Sequence, residues 1–476
     1  MVTTGRRQNG LDILLTICCC AFYLCACHGD TPTGSSWKTK KIVPPEGVFV
    51  AVGGVGDGSS DAPLSSIQAA VDLVSQDESQ DTIYVAAGTY IESLVLHSPV
   101  VVFGGRNPDS CWQLSGVGTT KILGGMIPDQ AVTVYIHDVS DTIELHNLEI
   151  TGFAAVDGGE SSIGIVCANV TMLELNDCII RARNGMHGLD GVDGYAGTDG
   201  VMLDSPVFRG GKGGGGAGPW LGAIGQPGFA GYCADGTASG GAGGSAVWVE
   251  GIGYDGYPGS DGVAGSEGLP GRFMPTVALT DSIIGLISDA GGAGLMGSPG
   301  CGGGGGAGSP TWEIFTHSNG WEYTGGLAGG AGGNGGDGGS GAEGGTGGGC
   351  SVALLVLRSS VEMSGTACTT SRGGNGGAGG SGGSGGNGAP GNPPPETWNI
   401  GTGRQAGDGA AGGDGGRGGH GGGGAGGSSV AILASESTVS GIDSSLVELG
   451  VAGLGGASAG LRGEDGLSLV YLDISE

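Results

Sequence analysis

The side chains with chemistry to offer lie mostly near residue 180. Asp138 and Asp141, then Asp177 with Arg181 and Arg183, then Asp190 and Asp193, are the acids and bases closest to the apolar segments. Clustered aspartates hold calcium through their oxygens, and aspartates in pairs act as acid and base across a bond. Asp177, Arg181 and Arg183 form the one mixed cluster at the edge of an apolar segment, although a bend alone would also call for Asp at 177. The seven histidines are scattered, and no HExxH or GxSxG signature occurs. Asp255, Asp261, Asp337 and Asp414 stand in glycine tracts, where they read as solvated charge or as calcium ligands outside the nonapeptide spacing. No other cofactor is called for.

The elements that must position these groups repeat. Ser351-Val352-Ala353-Leu354-Leu355 returns as Ser429-Val430-Ala431-Ile432-Leu433, 78 residues on. An octad of two short apolar runs around a polar bend recurs as Ile143–Ile150, Leu173–Ile180 and Val277–Ile284, and again near Val361 and Val439, at intervals of 30, 104, 78 and 78. Such a period signals stacked units that bury a face only against their neighbours. Thirty residues suit one coil of a parallel β-helix, and the longer intervals are a coil plus roughly 50 inserted residues.

The insertions are glycine-rich and keep a phase of three. Glycine stands at 185, 188, 191, 194, 197 and 200, and at every third residue from 326 to 347, 373 to 391 and 409 to 427. A flexible linker has no phase to keep, and collagen needs far more than 19 prolines. Three residues per turn is the polyproline-II period, so a sheaf of polyglycine-II legs is expected. Trp220, Trp312, Trp321 and Trp398 mark the reversals between legs, as caps or as stacking platforms for a glycan or partner.

The chain has 476 residues, 116 of them glycine, and a net charge of −29, which argues against nucleic acid as a partner. Residues 1–27 read as a signal segment: Arg6 and Arg7 precede the apolar run from Ile13 to Ala26. Leu24-Cys25-Ala26-Cys27 resembles the lipobox of bacterial lipoproteins, which implies a lipid on Cys27 and attachment to a membrane. Residues 28–60 read as a polar tether. Seven cysteines remain beyond the signal segment, so at least one is unpaired. Cys167 with Cys178, and Cys350 with Cys368, flank strands of one coil and are candidate disulfides; Cys233 and Cys301 are candidate loop staples.

From Asp61-Ala62-Pro63 a helix is expected, with Leu64, Ile67, Ala70, Val71 and Val74 on one face, placed to plug the open end of a β-helix. Leu64-Ser65-Ser66-Ile67-Gln68-Ala69-Ala70, Ile83-Tyr84-Val85-Ala86-Ala87-Gly88-Thr89-Tyr90 and Val100-Val101-Val102-Phe103-Gly104-Gly105 resemble the pectin-lyase-like superfamily of right-handed parallel β-helices. The resemblance covers residues 61–184, the later octads extend it through 185–476, and the glycine-rich insertions resemble those of PGRS-like bacterial surface lipoproteins. It implies an all-β fold, and for many members a polysaccharide lyase or hydrolase site. No such motif is matched here. The expectation is therefore a non-enzymatic, lipid-anchored protein of the bacterial outer membrane or cell surface, with a spacer, envelope or adhesin-like role and a cell-surface or polysaccharide ligand. A carbohydrate-active protein and an ice- or surface-binding protein are the alternatives.

Overall fold

The structure, a computed structural model, describes residues 45–474 except 77–79, 117, 125–131, 202–225, 227, 232–245, 248–251, 254–259, 273–275, 281–282, 302–306, 308–313, 318–319, 324–327 and 395–405. It is mostly strand, with parallel sheets and few helices. The parallel strands fall into three ladders. The first runs through Leu94–Leu96, the opening halves of Val132–His146 and Ser162–Asn176, then Ser351–Leu357, Ser429–Ser435 and Ser468–Asp473. The second runs through Val48–Val50, Thr82–Ala86, Val100–Asn107, the closing halves of the two long strands, Ser360–Ser364 and Thr438–Ser440. Gly88–Ile91, Thr120–Leu123, Leu148–Thr151, Ile179–Arg181, Ala367–Thr369 and Val447–Glu448 make the third.

Single left-handed residues turn the chain from one ladder to the next. Asp138, Asn169, Arg358 and Glu436, at φ 47–56°, take it from the first ladder to the second. Gly105, Asn147, Asp177, Gly365 and Gly441, also at positive φ, stand where it passes from the second towards the third. Asn, Asp and Gly tolerate this region best, and Arg358 and Glu436 occupy it at a cost of about 1 kcal/mol each. Inward side chains from all three ladders form one core, which includes Ile83, Ile122, Ile143, Ile150, Leu173, Ile180 and Leu354. Ser351–Leu357 is buried at every position, because Val352, Leu355 and Leu357 enter a second cluster on the opposite side. That explains its unbroken apolar run.

Three expectations need correction. Val48–Val50, inside the supposed tether, is a buried strand. The helix begins later than Asp61, at Ile67, with Ser66 as its cap, and runs to Val74. Its face of Ile67, Ala70, Val71 and Val74 is buried as expected, but Glu92 settles its first turn by accepting from the backbone N–H of Ile67 and of Gln68. The octad Val277–Ile284 belongs to no ladder. Thr276–Thr280 pairs antiparallel with Ile283–Ile287, while Ile179–Arg181 pairs directly with Ala367–Thr369. An octad of two apolar runs around a polar pair describes a hairpin as well as a turning rung, and only the strand partner tells them apart.

The long insertions, 182–350, 370–428 and 449–467, all leave after the third ladder and re-enter at the first. Among the described residues eight extended legs run through them: leg 1 (185–200), leg 2 (260–271), leg 3 (289–301), leg 4 (330–349), leg 5 (373–392), leg 6 (407–427), leg 7 (450–457) and leg 8 (461–466). Backbone hydrogen bonds join them at every third residue. Gly188, Gly191 and Gly194 of leg 1 donate to Asn375, Ala378 and Ser381 of leg 5 at 2.8 Å. Leg 6 donates to legs 3 and 5 and accepts from legs 2 and 4 along its length, and over Gly423–Gly427 it also donates to leg 8 and accepts from leg 7, which gives it six neighbours there. Those six also bond around it in the order 4, 5, 7, 8, 2, 3, and leg 1 lies outside against legs 4 and 5.

Glycine follows this packing. Leg 1, at the rim, keeps one glycine column, whereas legs 4, 5 and 6 keep two of every three positions as glycine along most of their length. A Cβ on Gly338 would stand 1.9 Å from the Gly297 carbonyl oxygen, and one on Gly336 2.1 Å from that of Gly386. The single phase expected in leg 4 is therefore only half of its requirement.

Candidate functional site

The acids and bases singled out in the sequence are dispersed by the fold. Asp138 and Asp177 occupy different turn columns. The Asp138 carboxylate accepts from the Asn169 amide at 2.9 Å and meets His137 Nδ1 at 3.0 Å, and Arg358 Nε donates to Asn169 Oδ1 at 2.8 Å. These turn residues thus brace one another along the column, and the bonds from His137 and Asn169 hold the Asp138 carboxyl below the usual carboxylate range. Asp141 accepts from the next residue's backbone N–H. At the other column the Asp177 backbone N–H donates to Ser364 O at 2.8 Å. Arg181 reaches Glu149 and Thr369, both at 3.4 Å, and Lys121 meets the same glutamate at 3.0 Å. The Arg183 backbone N–H donates to Ser162.

The leg aspartates have a role that the sequence reading missed. Asp190, Asp193 and Asp199 accept from the backbone N–H groups of Ala378, Ser381 and Asn387 on leg 5 at 2.6–2.7 Å. Asp261 and Glu267 do the same for Asp414 and His420 on leg 6, at 3.0 and 2.7 Å, and Asp414 accepts from Gly388. Asp337 accepts from the Thr198 hydroxyl. Along the rim, carboxylates thus stand where a further leg's carbonyls would be. An unpartnered amide is costly, which gives these acids structural work. Among the described residues no three His, Cys, Asp or Glu side chains gather to hold a metal ion.

Cys167, Cys178, Cys350 and Cys368 are free and buried, so neither candidate disulfide among them forms. Cys368 lies in the core between the ladders and Cys350 in the second cluster, on opposite sides of a sheet. Cys167 and Cys178 share a core but sit on either side of the Asn169 turn, and the Cys178 thiol donates to Leu145 O. Cys301 is disulfide-bonded. Cys27, Cys233, Asp255, Trp220, Trp312 and Trp398 lie outside the described residues, and Trp321 stands on the strand Gly320–Tyr323, paired with Thr316.

The outward side of the second ladder carries two columns that only register brings together. Phe49, Tyr84, Phe103 and His146 occupy equivalent positions on successive strands and stack with centroids 5.4, 5.5 and 4.6 Å apart. Trp112, from the segment after Asn107, closes one end at 4.7 Å from Phe49. Two residues back along the strands, Glu144, Glu174 and Glu362 align as a carboxylate column, and Glu144 meets His146 at 3.0 Å. Arg106 lies over the Phe103 and Tyr84 rings, at 4.8 and 5.5 Å. Burial raises the Tyr84 hydroxyl pKa and lowers that of Arg106. The alternation of each strand contained these side chains, but their alignment depended on the register between strands. Comparison with protein-family models, with curated proteins and with solved structures gives no match.

Proposed function

We propose that this chain is a non-enzymatic, lipid-anchored bacterial surface protein: a right-handed parallel β-helix, plugged by the Ile67–Val74 helix, that carries a polyglycine-II bundle as a spacer or adhesin-like projection. The observation that carries this reading is leg 6, whose backbone bonds to six neighbouring legs. Hexagonal bonding at a period of three is what packed polyglycine-II helices require, since bare glycine edges let backbones approach closely. At about 3.1 Å per residue such a leg extends on the order of 60 Å, which suits a part that holds something at a distance. The in-register ladders and their two turn columns support the β-helix. The leg aspartates support a non-catalytic role, because their carboxylates are engaged with backbone amides. The membrane attachment rests on Leu24–Cys27, and His28 after the cysteine favours the outer membrane.

Two experiments test the proposal. The full chain is expected to partition into detergent and Cys27→Ala to accumulate as unprocessed precursor; aqueous partitioning of the wild type would sink the anchor. Assays for lyase and hydrolase turnover on acidic and neutral polysaccharides, with and without calcium, are expected to be blank. Turnover lost in a folded Asp177→Ala or Arg181→Ala protein would replace this reading with an enzymatic one.

A further inference from the structure

Arg106 is the penultimate residue of the strand Val100–Asn107, on the aromatic side of the second ladder. Among the described residues no carboxylate pairs with it, whereas Arg181, Arg417 and Arg462 each meet one. Its Nε is buried with no hydrogen-bond partner. A partly desolvated charge without a partner is unfavourable, and it is out of place in a chain with 46 acidic and 17 basic Asp, Glu, Lys and Arg residues. The rings of Phe103 and Tyr84 support the guanidinium from one side. Beside it opens a depression of about 370 Å³, walled by Ala87, Asn107, Ser110, Leu114 and Ser115.

We infer that this depression binds a small carboxylate ligand, which Arg106 grips with its guanidinium. A planar fork supported on aromatic faces matches a carboxylate in two parallel hydrogen bonds, here through its two terminal nitrogens. Asn107 and Ser110, bonded to each other at 3.1 Å, form a polar wall. Leu114, 56% exposed, offers an apolar one for the body of the ligand. The volume is at the lower end of small-molecule sites, which run from about 300 Å³, so the ligand is small. The overall negative charge does not forbid an anion here, because exposed charges beyond about 8 Å are screened at physiological salt.

The test is calorimetric titration of the full chain with glutarate and citrate, with inorganic phosphate as a second oxyanion and chloride as control. Saturable binding of a dicarboxylate is expected. Arg106→Gln is expected to weaken it at least tenfold, and Arg372→Gln, just before leg 5, to leave it unchanged. Leu114→Trp fills the depression while keeping Arg106, and is expected to abolish binding with the melting curve intact; it decides the matter if Arg106→Gln fails to fold. No saturable binding by the wild type, preference for phosphate over both carboxylates, or undiminished binding by Leu114→Trp would each overturn the assignment.

Discussion

Asn169 joins two requirements at one position. Its backbone sits at φ 56°, and its side chain bonds both Asp138 and Arg358. Asn169→Ala loses both bonds and adds left-handed strain of about 1–2 kcal/mol, whereas Asn169→Gly loses the bonds alone. Urea denaturation should therefore rank wild type, Gly and Ala in falling order. The buried thiols give a pH prediction. Burial pushes Cys178 and Cys368 from 9.0 up to about 12. A folded pKa above the unfolded one means full stability below about pH 9 and loss as pH climbs towards 12. The urea midpoint should fall across that window, and less steeply in a folded Cys178→Ala, Cys368→Ala double variant. Asp177 was visible as a bend residue in the sequence, whereas the turns at Asp138 and Asn169 were not. The absence of the two expected disulfides was not visible either, because spacing along the chain says neither on which side of a sheet a thiol lies, as for Cys350 and Cys368, nor that a turn parts two thiols of one core, as for Cys167 and Cys178.

Between elements, the legs set the sharpest demand. Gly336 and Gly338 belong to different columns of leg 4, and both face a carbonyl oxygen at about the distance of a covalent clash. Gly336→Ala should therefore lower the melting temperature as much as Gly338→Ala, although only the column containing Gly338 stands out along the whole tract. Asn334, 8% exposed and bonded through its amide to Val201 O, should also be sensitive to alanine. Ser384, on the exposed side of leg 5, should not. Equal melting temperatures for all four variants would mean that the legs do not pack. At the rim, Asp193→Ala removes the acceptor of the Ser381 amide and should speed its hydrogen exchange, leaving the amides of leg 6 slow.

At the scale of the molecule, leg 6 takes the place that a hydrophobic core has in the ladders. Its amides over 421–427 should be among the slowest of the legs to exchange by mass spectrometry, and those of leg 7 faster, since leg 7 lies at the edge of the hexagon. Exchange at a uniform fast rate through 421–427 would contradict the packing. What the sequence by itself determined is local and periodic: the alternating strands, the apolar face of the helix, the polar bend of the octad and the phase of three that makes a leg. These follow from backbone sterics and side-chain period, which act over a few residues. Tertiary structure decided what depends on a partner far along the chain. It made Val277–Ile284 part of a hairpin instead of a ladder, set leg 6 at the centre, turned rim aspartates into amide acceptors and left Arg106 beside four stacked rings with no acid paired to it among the described residues. Segments that touch across 188 residues of sequence are joined by hydrogen bonds and packing, and no short-range pattern encodes which strands those will be.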